Sequence, residues 1–262
     1  MNLSGAHVLV TGASKGIGAS FARDAARRGA VVTLVARSAG PLDQLAAELG
    51  GHALPADLKD ASQRRTLVAR AEQGAGRPVD VLVNNAGFDA ARGMLEITED
   101  DITDIVALNL HAPMELSRQV LPGMVERGRG HVVNVSSGFS TVNAPGLTPY
   151  CATKAGLSHF TGGLAVELQG TGVGTTLVEP GPVKTELYEN LKSTLAYDAL
   201  RRMMRLQLTA EVEPDDVART ALDRVEKGGG HVVLPRRMAP AMALTWLPRS
   251  ATALSLTGVR RR

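Results

Sequence analysis

A serine pair, Ser136 and Ser137, lies with Tyr150 and Lys154 in one short segment, "SSGFSTVNAPGLTPYCATK", which runs from Ser136 to Lys154. The segment supplies a hydroxyl, a phenol and an ammonium. Tyr150 and Lys154 are four residues apart, so on a helix they share one face. A free tyrosine titrates near about 10 and is a poor acid or base at neutrality. A neighbouring ammonium favours the phenolate, which predicts a lowered phenol pKa. A tyrosine of that kind can give a proton to a reacting oxygen or accept one from it. A serine hydroxyl can hold the same oxygen. Each residue alone has a plainer reading: a strand-ending serine, a core aromatic, a solvated helix lysine.

A second candidate is "VLVTGASKGIGASFARDAARRG" near the N-terminus. It reads as an apolar strand, a loop with Gly12, Gly16 and Gly18, and a helix. Glycines let such a loop turn sharply and approach a pyrophosphate, and the helix N-terminus adds amide donors and a positive dipole end. The spacing G-x-x-x-G-x-G departs from G-x-G-x-x-G, so the strand and helix around it carry the nucleotide-binding reading. The next strand ends "LVARS", with Ala36 where an acid would grip a free ribose 2′-hydroxyl and Arg37 after it. Arg37 and Lys15 form a pair of cations suited to a 2′-phosphate, which predicts NADP(H) over NAD(H). The bland alternative is two solvated surface charges.

These residues need a scaffold, and the chain is patterned for one. Apolar, β-branched runs at 7–12, 31–37, 52–57, 79–87, 131–137, 173–181 and 231–235 alternate with segments of helical composition. "PLDQLAAEL" (41–49) starts on a proline and stops at Gly50-Gly51, and "ASQRRTLVARAEQ" (61–73) is amphipathic. Strand and helix in alternation predict an α/β fold: one doubly wound parallel sheet with helices on both faces. No linker or repeat divides the chain, so residues 1–235 read as one domain. Residues 186–212, rich in Leu, Met and Arg, break the alternation and predict short helices. Residues 236–262 form an apolar extension with the only tryptophan, Trp246, and three closing arginines, Arg260, Arg261 and Arg262.

The totals narrow the classes. The 262 residues are 44% hydrophobic but only 3% aromatic, so the core must be built from small aliphatic side chains. The net charge of +3 equals the three terminal arginines, which argues against a nucleic-acid binder. With Cys151 as the only cysteine, no intramolecular disulfide can form, and a reducing, cytoplasmic setting is expected. The N-terminus does not read as a signal peptide, and no run of about 18 apolar residues reads as a membrane span. The histidines show no metal-ligand spacing and read as structural, as does Cys151.

"TGASKGIG" (11–18), "NNAG" (84–87), Asn109, Ser137, "YCATK" (150–154) and "PGPVKT" (180–185) together resemble the short-chain dehydrogenase/reductase family, in order and spacing, from about residue 5 to 235. The resemblance implies a Rossmann-type sheet of about seven strands and direct hydride transfer between NAD(P)(H) and a carbonyl or alcohol, with no metal. It implies a catalytic set of Asn109, Ser137, Tyr150 and Lys154, in which Asn109 orders a water that links Lys154 to solvent. Lys154 would also bind the nicotinamide ribose. The implied cofactor contacts include Gly12, Ser14, Lys15, Gly16, Ile17 and Gly18 in the loop, and Arg37. Asp57 and Leu58 would meet the adenine, while Asn85, Ala86 and Gly87 would line its ribose. Val183 and Thr185 would hold the carboxamide.

By the same resemblance residues 186–212 act as a substrate lid. Its Leu and Met residues suit a hydrophobic, lipid-like or steroid-like ketone, aldehyde or secondary alcohol, and the alternative is that they pack the lid onto its own domain. A homodimer or homotetramer is expected. The tail has two readings: packing on the domain or a partner subunit, and peripheral contact with a membrane surface. The alternative function is a non-catalytic NADP(H)-binding regulator, which has no need of Tyr150.

Overall fold

The computed structural model describes residues 1–192 and 194–243. Its strands are β1 (His7–Thr11), β2 (Val31–Ala36), β3 (His52–Pro55), β4 (Val81–Asn84), β5 (Gly130–Val135), β6 (Val173–Pro180) and β7 (Gly230–Leu234). All seven expected runs form strands. They pair in parallel in the order β3-β2-β1-β4-β5-β6-β7. The connection from β3 crosses back over β1 to reach β4. The order therefore reverses between β1 and β4, where a crevice opens at the C-terminal edge of the sheet.

Helices cover both faces. α1 (Gly16–Arg27), α2 (Ala39–Leu49) and α10 (Pro214–Glu226) pack on one face through Ala22, Ala25, Leu42, Leu45, Ala221 and Leu222. α4 (Leu67–Ala75), α6 (Ala112–Glu126) and α7 (Thr148–Glu167) bury Leu67, Leu116, Val120 and Leu164 on the other. Val and Leu strands buried on both faces are what a parallel sheet requires. Arg28 ties α1 to α10 through Asp24, Asp223 and Glu226.

Some elements differ from the expectation. α2 begins at Ala39, two residues before Pro41, and ends at Gly50 with φ +62. The amphipathic stretch 61–73 is two helices, α3 (Ala61–Arg65) and α4, because Thr66 leaves the helical path at φ −105, ψ 0. α5 (Glu99–Val106) opens with a reciprocal Thr98–Asp101 capping box and runs through a π-helical turn, Ala107–His111, into α6. Residues 186–212 hold α8 (Glu186–Leu191) and α9 (Leu195–Arg205).

The start of the C-terminal extension folds back. Met238 and Met242 are buried, accepting hydrogen bonds from the hydroxyls of Thr209 and Thr141. Residues 244–262 lie outside the described residues, and with them Trp246, the three terminal arginines and the membrane-contact reading. Among the described residues no helix is long and apolar enough to cross a membrane.

Candidate active site

The glycine loop is locked to the end of β4. The Thr11 hydroxyl accepts the N–H groups of Asn85 (2.9 Å) and Ala86 (3.1 Å). The Asn85 amide donates to the carbonyls of Thr11 (3.0 Å) and Gly12 (3.3 Å). A Cβ on Gly18 would lie 2.1 Å from the Gly12 carbonyl oxygen, so only glycine lets α1 start this close to β1. Gly12 itself has φ +66. Ile17 packs on the core, and Lys15 forms an ion pair with Glu186, the first residue of α8. Arg37 stands exposed at the end of β2, with no hydrogen-bond or ion-pair partner among the described residues.

Beside Arg37, Asp57 takes the backbone N–H of Lys59 at 2.9 Å, and Leu58 is buried. Across the crevice, Val183 bridges to Val212, and Thr185 caps α8.

The proton-transfer candidates come from β5, the π-helical turn and α7. Ser137 follows β5, and its hydroxyl accepts the Phe139 N–H at 3.1 Å. Pro149 in the first turn of α7 leads to Tyr150, which with Lys154 lies on the inner face of that helix. The Lys154 ammonium is 5.7 Å from the Tyr150 ring centre and donates to the Val135 carbonyl at 3.0 Å. Burial holds that ammonium down at about 8.

The phenol moves opposite to expectation. Burial pushes Tyr150 above its ordinary value; the Ser137 hydroxyl pulls it back in part, and Asp89 and Cys151 push it further up. Desolvation disfavours the phenolate here more than any neighbour favours it. Lys154 is aimed at a backbone carbonyl and does not offset the burial.

Asn109 is fully buried in the π-helical turn. Its side chain closes on the backbone of Phe88, accepting the N–H and donating to the carbonyl, each at 2.9 Å. The Asn109 amide thereby engages the loop after "NNAG". A Cβ on Gly87 would meet both Asn109 Oδ1 (3.1 Å) and Lys154 Nζ (3.4 Å), so the three residues converge.

One cavity of about 540 Å³ runs along the crevice. It is lined by Gly12, Ser14, Lys15, Gly16, Ile17, Arg37, Asp57 and Leu58 at one end. Asn85, Ala86, Gly87, Val183 and Thr185 follow, and Ser137, Tyr150 and Lys154 stand further along. Gly18 and Asn109 do not line it; they support residues that do. Phe139, Leu147, Leu187, Leu191 and Leu200 give the far end an apolar wall.

Two groups escaped the sequence reading. Asp89 lines the cavity beside Tyr150. Glu179, fully buried in β6, accepts from His231 (2.6 Å), Ser158 (2.6 Å) and Ser140. Burial pushes its carboxyl up, but those three bonds outweigh it and hold it below the usual range. Ser158 continues to Ser136 (2.8 Å), which donates to the Lys154 carbonyl (2.9 Å). No spacing in the sequence joins residues 136, 158, 179 and 231.

The sequence pattern of the family described as short chain dehydrogenase matches residues 6–196. The chain belongs to that family. Ketoacyl reductase HetN of Nostoc sp. (strain PCC 7120) is 40% identical over 186 residues, covering 69% of this chain and 64% of that protein, less than two thirds of its length. Gluconate 5-dehydrogenase of Gluconobacter oxydans is 36% identical over 195 residues, covering 72% of this chain and 76% of the relative. The short-chain dehydrogenase from Sphingobium yanoikuyae, solved in complex with NADPH, superposes with a TM-score of 0.80 at 29% identity over 98% of both chains.

Proposed function

We propose that this short-chain dehydrogenase uses NADP(H) to interconvert a hydrophobic ketone or aldehyde and its alcohol. The observation that carries the reading is a single cavity with a phosphate-type glycine loop at one end and Ser137, Tyr150 and Lys154 further along. The cradle fits a dinucleotide: the places where a Cβ would fill it are glycines, and no carboxylate stands at the end of β2 to repel a 2′-phosphate. The loop glycines and the α1 N-terminus would hold the pyrophosphate, and Arg37 with Ser14 and Lys15 the 2′-phosphate. Asp57, Leu58 and Asn85 would hold the adenosine, Lys154 the nicotinamide ribose, and Val183 and Thr185 the carboxamide. A bound nicotinamide supplies or takes up the hydride.

The protein's part is proton transfer and positioning. Buried Tyr150 in its protonated form is the donor to the carbonyl oxygen in reduction, and its phenolate is the acceptor in oxidation. Ser137 holds that oxygen. Lys154, kept cationic below about 8, holds positive charge behind the phenol. Asn109 fixes the loop after β4. The apolar far wall supports a hydrophobic substrate body, with α8 and α9 as its lid. HetN's name as a ketoacyl reductase and the NADPH bound in the Sphingobium structure support the chemistry and the cofactor.

A cytoplasmic homo-oligomer completes the reading; Val106 and Met114, exposed on the helix that carries Asn109, support a subunit contact there. The test is NADPH oxidation, with NADH in parallel, across β-ketoacyl thioesters, steroid ketones, long-chain ketones and aldehydes. Turnover favouring NADPH is expected. Faster turnover with NADH would overturn the cofactor assignment. Tight NADPH binding with no turnover would move the regulator reading ahead.

A further inference from the structure

The cavity is lined by a carboxylate that the proton-transfer chemistry does not use. Asp89 shares that space with Tyr150, Phe139, Leu147 and Leu191. It has no ion-pair partner among the described residues. The nearby cations are engaged elsewhere: Arg92 with Asp101 at 2.8 Å, and Lys154 with the Val135 carbonyl. Burial pushes the Asp89 carboxyl up to about 6, against the pull of the Ala91 and Ala90 N–H groups. Its charge is felt at Tyr150 and Cys151, both on α7.

The loop that presents Asp89 is held just before it. Asn109 grips Phe88 on its N–H and carbonyl. Ala91 sits at φ +51, in the left-handed region that alanine seldom occupies. Such a conformation persists where the surroundings over-determine it. A half-buried carboxylate without a cation is costly, and it is well placed to be paired by what enters the cavity.

We infer that Asp89 is a specificity-determining residue that binds a hydrogen-bond donor on the substrate, an ammonium or a hydroxyl, close to the oxygen held by Tyr150. The preferred substrate is then an amino- or hydroxy-substituted ketone, or the matching amino alcohol or diol, with an apolar body against Phe139, Leu147 and Leu191. This inference rests on the oxidoreductase reading and refines its substrate class.

The experiment is calorimetric titration of the full chain, with and without NADP+, against acetophenone, its α-hydroxy derivative and its α-amino derivative. Wild type, Asp89→Asn and Asp89→Leu are compared after thermal melts establish which variants are folded. The wild type is expected to bind the α-amino or α-hydroxy ketone about tenfold or more tighter than acetophenone. Asp89→Asn should erase most of the preference for the ammonium, and Asp89→Leu should reverse the order. A preference for the amino form alone identifies a cationic donor, and equal gains identify a general one. An unchanged ratio in both folded variants, or no binding of any of the three to the wild type, would overturn the inference. Turnover is read in parallel samples in which NADPH replaces NADP+, so that a hydride donor is present for the ketones. An Asp89-dependent ratio without turnover would refute the oxidoreductase reading and leave the Asp89 site standing.

Discussion

Arg37 and Tyr150 mark the two ends of what single residues decide. Arg37 is exposed just after β2 and unpaired among the described residues, so its guanidinium is available to a phosphate. Replacing it should cost NADPH affinity and leave NADH nearly untouched. Arg37→Ala is expected to weaken NADPH binding about tenfold or more, read by titration with both cofactors. An equal loss for both would refute a 2′-phosphate role. Tyr150 shows the limit of reading residues by type. Its four-residue spacing from Lys154 is visible in the sequence, but the direction of its pKa is not. That direction depends on burial and on where Lys154 aims its ammonium, and the chain sends it to the Val135 carbonyl. Asp89 was illegible for the same reason: one acid in a loop says nothing until the cavity wall forms around it.

At the scale of elements, Glu179 does what no single motif does. It joins β6 to β7 through His231, to the turn after Ser137 through Ser140, and to α7 through Ser158. The turn after Ser137 and the helix that carries Tyr150 are thus tied to one buried carboxylate. Glu179→Ala would leave several buried donors unpaired and is expected to cost about 3 kcal/mol in urea unfolding, with Glu179→Gln costing less. Because the folded carboxyl lies below its unfolded value, its contribution is present above the unfolded pKa and is lost as pH falls through the folded one. A Glu179→Ala protein as stable as wild type would refute the tie. The strands themselves were legible, since runs such as "VVTLVA" and "HVLVT" can only be buried on both faces. The break at Thr66 and the π-helical turn at Ala107–His111 were not. Both are small departures in hydrogen bonding that leave the apolar periodicity almost unchanged.

For the whole molecule, acid stability should be set by buried neutral histidines. Desolvation holds His131 down at about 4, its ring hydrogen-bonded to Thr176 at 2.8 Å, and burial lowers His7 as well. Their folded pKa values lie below the unfolded value, so the unfolded chain binds more protons as pH falls below about 6.5. Stability should therefore decline from about pH 6.5 toward 4, with His131 alone accounting for on the order of 3 kcal/mol. Denaturant midpoints measured across that range check it, and a flat profile would contradict it. The same architecture explains why family membership could be read early. The motifs sit at the C-terminal ends of strands whose order reverses between β1 and β4, so their sequence spacing reflects the spacing of the crevice.

Proton transfer by Tyr150 beside a bound dinucleotide is the step on which the proposed function turns. The most direct test is single-turnover NADPH oxidation by wild type and Tyr150→Phe, with a carbonyl substrate found in the panel and cofactor affinity measured alongside. Tyr150→Phe is expected to lose about a hundredfold or more in rate, with NADPH binding within about twofold of wild type. A Tyr150→Phe protein that turns over at the wild-type rate would contradict it.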